Sequence, residues 1–138
     1  MKTLLLGCDK QVAEWAFNRF HYTPVPYDWA VGIIEYNNIV GACLYHAYNG
    51  NDIEISYYGP KTITLGIVKS LAKLAVNQLG VSRITARTQR GNNLVKKKIK
   101  KLGFEYEGVR HFGYGDSDAI MYGLYGKNLA RLVGKTIQ

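Results

Sequence analysis

The stretch from Asp52 to Thr88 constrains the fold more than any other part of the chain. Asn49-Gly50-Asn51 turns the chain into a strand-period run over 52–58. Ile53, Ile55 and Tyr57 then face one side and Glu54, Ser56 and Tyr58 the other. Gly59-Pro60 ends the run. From Thr64 to Leu79 the period becomes helical: Leu65, Val68, Leu71, Ala72, Ala75, Val76 and Leu79 form an apolar stripe, and Gly80 follows as a C-cap. Residues 82–88 return to alternation, with Ile84 and Ala86 set against Arg83, Thr85 and Arg87. Such a switch of period within one stretch predicts a layered α/β arrangement.

The flanks agree. Residues 2–6 read as a short strand. Val12, Trp15, Ala16 and Phe20 recur at helical spacing after Asp9, which can cap the helix, so 9–20 is an amphipathic helix. Thr23-Pro24-Val25-Pro26 breaks it. Residues 29–36 and 39–48 are β-rich runs joined across Asn37-Asn38 as a hairpin. Asn93 to Leu102 is a second helix behind the 82–88 strand, with Leu94, Val95, Ile99 and Leu102 on its apolar face and Gly103 closing it. Strands over 104–112 and 117–125 and a short helix to about 133 complete the chain. The expected order is β-α-β-β-β-α-β-α-β-β, a mixed sheet of about seven strands with helices on both faces, and 138 residues fit one domain spanning 1–138.

Charge is the second informative feature. Arg83 to Lys101 holds eight bases (Arg83, Arg87, Arg90, Lys96, Lys97, Lys98, Lys100, Lys101) and no acid, while the remainder of the chain has ten bases and ten acids. The net +8 therefore belongs, along the sequence, to this one segment, and it calls for an anionic partner. Cys8 and Cys43 make no disulfide framework, and His21, His46 and His111 lack metal-ligand spacing, so no metal is expected. The opening MKTLLLGC superficially resembles a lipoprotein signal, but its apolar run, Leu4 to Leu6, falls short of the about 7–15 residues of such a segment. No run approaches the roughly 20 apolar residues of a membrane span. A cytoplasmic protein without a membrane role is the expectation.

Several fragments, in order, resemble the GNAT acyltransferases. Leu79-Gly80-Val81-x-Arg83-Ile84-Thr85-Ala86 leads to Asn92 and then to Leu102-Gly103-Phe104-Glu105-Tyr106-Glu107-Gly108. This is similar to the family's Asn, helix, "LGF-x-x-EG" signature in the branch of the ribosomal-protein alanine acetyltransferases. Asp118 to Leu124 resembles that branch's closing strand. Asp9-x-x-Val12-x-x-Trp15 and Asp52-Ile-Glu54-Ile-Ser56 resemble a small subgroup found in phage and mobile-element proteins.

The resemblance implies an acyl-CoA, most simply acetyl-CoA, held in a V-shaped split between the fourth and fifth strands, here 52–58 and 82–88, and transfer of the acyl group to an amine. It places the pyrophosphate loop on Lys61, Thr62, Ile63, Thr64, Leu65 and Gly66, where free amides at a helix N-terminus suit phosphate oxygens. Thr64 stands where the family's middle glycine would be. The plainer reading of this stretch is a Gly-Pro turn with a threonine cap. Asn92 matches the family residue that meets the pantetheine arm, and it is also a good helix cap. Val95 and Ile99 occupy the places where some relatives carry a partner for the CoA sulfur. Backbone N–H groups at Tyr57 and Tyr58 are the expected oxyanion donors.

Amine attack on a thioester also needs a base and an acid. Glu54 is the first candidate base, against the alternative of a solvated charge on an exposed sheet face. His46, with an ordinary pKa near 6.5, is the second. Tyr114 and Tyr122 are the candidate acids. The lysine-rich helix has three readings: a solvated face, a supplement to the CoA phosphates through Lys97, or a surface for an extended anion through Arg87, Arg90, Lys96 and Lys100. The rival to the enzyme is a protein of the same fold that binds or modifies nucleic acid and has weakened or lost CoA use. The acceptor is open, with a nucleic-acid-associated or ribonucleoprotein acceptor suggested by the charge, and a homodimer is also left open.

Overall fold

A computed structural model describes residues 2–20, 24–60 and 63–134. The elements follow in the order β1 (Thr3–Leu5), α1 (Asp9–Phe20), β2 (Trp29–Glu35), β3 (Asn38–His46), β4 (Asp52–Tyr58), α2 (Leu65–Leu79), β5 (Arg83–Gln89), α3 (Asn93–Lys101), β6 (Glu105–Arg110), β7 (Ala119–Tyr125) and α4 (Gly126–Val133). The seven strands form one sheet ordered β1-β2-β3-β4-β5-β7-β6. Every neighbouring pair is antiparallel except β4 and β5. The helical crossover α2 makes that one parallel pair, as such a connection must.

The two faces of the sheet have different covers. On one, α1 packs over β2 and β3 through Val12, Ala13, Ala16 and Phe17 against Ala30, Ala42 and Leu44. Gly32 makes this approach possible, since a Cβ there would lie 3.0 Å from Val12 Cγ2. On the other face, α2 and α4 bury Ile67, Leu71, Ala75, Leu129 and Leu132 against Val31, Cys43, Tyr45, Ile53, Ile84 and Leu124. The fully buried Tyr45 donates its hydroxyl to the Leu71 carbonyl at 2.7 Å, tying sheet to helix. Burial pushes the Cys43 thiol up, so it is an inert core residue and not a nucleophile.

Three sequence expectations shift. Asp9 is the first helical residue, not the cap: the Val12 amide already bonds the Cys8 carbonyl, and the Asp9 carboxylate accepts the Ala30 amide of β2 at 2.9 Å. The hairpin turn is Tyr36-Asn37, one residue earlier than expected, with both at positive φ (52° and 63°) and Glu35 paired with Asn38. That pair of left-handed residues matches the twist of the flanking strands. In α2, Ile67 is buried whereas Leu65 is 53% exposed. Leu65 sits in the opening turn, before the helix has settled onto the sheet. Gly80 ends α2 as expected, left-handed at φ 68°.

Candidate active site

Pairing between β4 and β5 covers only Asp52–Arg83, Ile53–Ile84 and Glu54–Thr85. Beyond that point β4 stays registered on β3 up to Tyr58, and β5 stays registered on β7 up to Gln89. The two halves of the sheet therefore diverge, and Ile55 to Tyr58 have no partner strand on the β5 side. This is the expected split between the fourth and fifth strands, with its apex at Glu54 and Thr85.

At the apex, on the face that carries α1 farther along the sheet, three polar side chains meet. Glu54 is 5% exposed. Its carboxylate accepts from Arg87 Nε at 2.7 Å and from the other side of the same guanidinium at 3.0 Å. A buried carboxylate is costly unless paired, and this two-point contact supplies the pairing. Arg87 also donates to the Gly113 carbonyl at 3.2 Å, drawing the β6–β7 loop to the apex. His46 lies opposite Glu54 in the β3–β4 register. Its Nε2 is 2.7 Å from Ser56 Oγ and 3.5 Å from Glu54 Oε2. Burial lowers the His46 pKa below its ordinary value; Arg87 pushes the same way, while Glu54 and Asp28 pull against it. Because Ser56 and Glu54 address the same ring nitrogen, these three residues do not make a nucleophile–base–acid relay, which needs both nitrogens. Among the described residues, Nδ1 of His46 has no hydrogen-bond partner.

Toward the closed end of the split the same face carries a second ionic group. Thr85 donates to Asp52 at 2.8 Å, and Arg83 lies between Asp52, at 3.4 Å, and Glu107, to which it donates at 3.1 Å through Nη1. Arg90 donates to Asp118 at 3.0 Å. All three arginines of the basic segment thus face carboxylates from distant parts of the chain. Lys96 donates to the Arg90 carbonyl, and Lys97 and Lys100 are exposed on α3.

The remaining predicted site residues spread around this centre. Thr64 caps α2, its hydroxyl accepting the Ile67 amide at 3.3 Å. Ile63 packs against the core beside it. A Cβ on Gly66 would meet nothing within 4 Å, so no packing inside the protein demands glycine there. The amides of Leu65 and Gly66 open the helix and cannot be satisfied from within it. Asn92 caps α3 by accepting the Val95 amide at 3.3 Å. Lys61 and Thr62 lie outside the described residues. The Tyr57 side chain folds back, donating to the Pro60 carbonyl at 2.9 Å, and Tyr58 packs on Phe17 and Phe20. Tyr114 follows Gly113 in the loop drawn in by Arg87. Tyr122, opposite Ala86 on β5, lies on the other face of the sheet from Glu54 and stacks edge-on with Tyr106.

Sequence reasoning missed the Arg87–Glu54 pairing and the support Ser56 gives His46. The signal was present but non-local: acids at 52 and 54 and bases at 83 and 87 share a strand phase, which becomes meaningful only once 52 is set beside 83. Among the described residues no group of three or more His, Cys, Asp or Glu side chains is placed to hold a metal, and no helix is long and apolar enough to cross a membrane.

No family model matches the sequence, and no curated protein matches it. Solved structures do match. A ribosomal-protein-S5-alanine acetyltransferase from Vibrio fischeri is 16% identical with a TM-score of 0.69, the match covering 91% of this chain and 92% of that one. The Campylobacter jejuni N-acetyltransferase PseH, in complex with acetyl coenzyme A, is 14% identical with a TM-score of 0.66 over 92% of this chain and 100% of that one. A GNAT-family acetyltransferase from Bacillus anthracis is 20% identical with a TM-score of 0.58 over 70% of this chain. This chain spans 65% of the length of the last and 61% of a probable acetyltransferase with a TM-score of 0.62. At such identities the likeness is one of fold: the chain has the GNAT acetyltransferase architecture, including the parallel β4–β5 pair that opens into the split.

Proposed function

We propose that this chain, as a single domain, is an acyl-CoA-dependent N-acyltransferase, with acetyl-CoA as the simplest donor and an amine as the acceptor. One observation carries the reading. The split between β4 and β5 ends at an imidazole held toward its neutral form, in a fold that two matched structures display with acetyl-CoA bound. The donor would supply an activated acyl carbon. The residues fitted to hold it are those at the start of α2, where Gly66 leaves open space and the Leu65 and Gly66 amides have no partner within the helix, with Asn92 and Lys97 of α3 kept as further candidates from the sequence.

The chain's own part follows from the geometry. Glu54 has both oxygens committed to Arg87, so it serves better as an anchor than as the first proton acceptor. His46 is the better base. A carboxylate beside Nε2 favours the proton on that nitrogen and leaves the lone pair on Nδ1. A neutral imidazole can take the proton of an attacking amine at neutral pH, a contribution of about 10²–10⁴ in rate. Backbone N–H groups on the unpaired edge of β4, between Ile55 and Tyr58, are the donors available to a developing oxyanion. Tyr114, in the loop held by Arg87, is the better placed of the two candidate acids, since Tyr122 faces away.

The test is ligand-linked stability. Millimolar acetyl-CoA should raise the melting temperature, because a ligand of the folded state alone stabilises it. No shift at that concentration would sink the proposal.

A further inference from the structure

Charge that is continuous along the sequence is sorted differently in space. The helices α2, α3 and α4 carry nine cations (Lys69, Lys73, Lys96, Lys97, Lys98, Lys100, Lys101, Lys127 and Arg131) and not one carboxylate. All other positions together hold nine bases against ten acids. The arginines of the basic segment are answered by Glu54, Asp52, Glu107 and Asp118, whereas among the described residues Lys69, Lys101 and Arg131 have no acidic partner. The protein's excess charge is therefore a property of these three helices. Lysines in the last turn of α3 complement its dipole, but the dipole amounts to about half a unit charge per helix end and does not account for Lys69 on α2.

The layer also has a concavity. Lys69 of α2, Lys101 at the end of α3, and Asn128 and Arg131 of α4 line a cleft of about 190 Å³. Asn128 donates to the Gly103 carbonyl at 2.9 Å, joining α4 to the turn after α3 and fixing the cleft floor. All three cations are exposed. The volume is several times the about 30 Å³ that a water occupies in the liquid, which is room for a phosphate group.

We propose that the outer surface of α2, α3 and α4 docks nucleic acid, with the Lys69–Lys101–Arg131 cleft taking a backbone phosphate and the α3 lysines tracking the phosphates beside it. Cations converging on a concavity suit a strand of phosphates better than the plane of a bilayer. None of these three helices carries an aromatic side chain to stack on a base, so recognition is of backbone and not of sequence. This proposal does not rest on the acyltransferase reading. The cleft lies at the C-terminal end of α3, away from Asn92, but Leu65 at the start of α2 also lines it, so displacement by acetyl-CoA is the arm of the test that separates the two ligands.

The experiment is anisotropy of a labelled 20-nucleotide single-stranded RNA and a 20-base-pair duplex DNA with the full chain, from 50 to 200 mM salt. The expected result is binding by at least one probe, weakening steeply with salt. The variant K69Q/K101Q/R131Q, changed only at exposed positions, should melt like the parent and show a log–log salt slope shallower by about 2 to 3, at roughly 0.7–0.9 per lost phosphate contact. The tighter probe tells RNA from DNA. Four results would each overturn the proposal: no binding of either probe at 50 mM salt, a parental slope in the variant, complete displacement of the probe by saturating acetyl-CoA, or binding to phosphatidylglycerol vesicles without binding to either probe.

Discussion

Arg87 of β5 reaches over the apex of the split to hold both carboxylate oxygens of Glu54 on β4, joining the two halves of the sheet where their backbone pairing has just stopped. The contact is structural as well as local to the site. Removing one partner leaves the other charge without compensation. For buried pairs that costs about 3–5 kcal/mol; Arg87→Ala strands the more deeply buried Glu54, whereas Glu54→Gln strands the partly exposed Arg87 and should cost less. Urea unfolding of Arg87→Ala, Glu54→Gln and the double variant should give a double-variant loss well below the sum of the singles. Additive losses would mean that the pair does not act as a unit.

His46 makes stability depend on pH in a stated direction. Burial holds its folded pKa below the ordinary value, while the unfolded chain takes up the proton near pH 6.5. The unfolded state therefore binds more protons in the window below about 6.5. The stabilising contribution is full above that pH and is lost as pH falls through the folded pKa. Melting curves between pH 7.5 and 4.5 should show the parent losing more stability than His46→Gln. Parallel curves for the two proteins would contradict the assignment.

Gly66 separates packing from ligand contact. It lies in the first turn of α2, where an added Cβ would meet nothing within 4 Å. Gly66→Ala should therefore stabilise the free protein by about 0.5–1 kcal/mol. If the donor's phosphates approach the helix start as proposed, the same methyl should weaken acetyl-CoA binding severalfold. Calorimetric titration beside thermal melting reads both effects. A variant that is more stable and binds acetyl-CoA unchanged would move the phosphate site elsewhere.

Asn92 has a structural duty that any functional duty must be measured against. Its side chain accepts the Val95 amide and starts α3. Asn92→Ala should cost about 1 kcal/mol, and Asn92→Asp should restore most of it by keeping the cap. A capping role alone predicts that acetyl-CoA affinity recovers with stability in Asn92→Asp. A pantetheine contact predicts that affinity stays reduced.

Much of the fold was legible because it is written in short-range period. Alternation over 52–58 and 82–88, the stripe of α2 and the glycine after Leu79 required no knowledge of the rest of the chain. Errors arose where a neighbour decides. Leu65 and Ile67 are equally apolar, and only the angle at which α2 meets the sheet buries one and exposes the other. Asp9 reads as a cap until the Ala30 amide claims its carboxylate. The site was less legible still. Glu54 and His46 stand out in the sequence, but their relation to Arg87 depends on a parallel register between segments more than thirty residues apart. The same register pairs Arg83 and Arg87 with acids and leaves the net charge on the helices.

The central claim is that a neutral His46 at the apex of the split serves as base for acyl transfer. The most direct measurement is thiol release from acetyl-CoA with a panel of primary amines, for the parent and for His46→Gln, as a function of pH. The account predicts amine-dependent release whose pH profile falls below a pKa under 6.5. It further predicts a loss of about 10²-fold or more in His46→Gln, with acetyl-CoA still raising that variant's melting temperature. Turnover at the parent's rate in His46→Gln would contradict it.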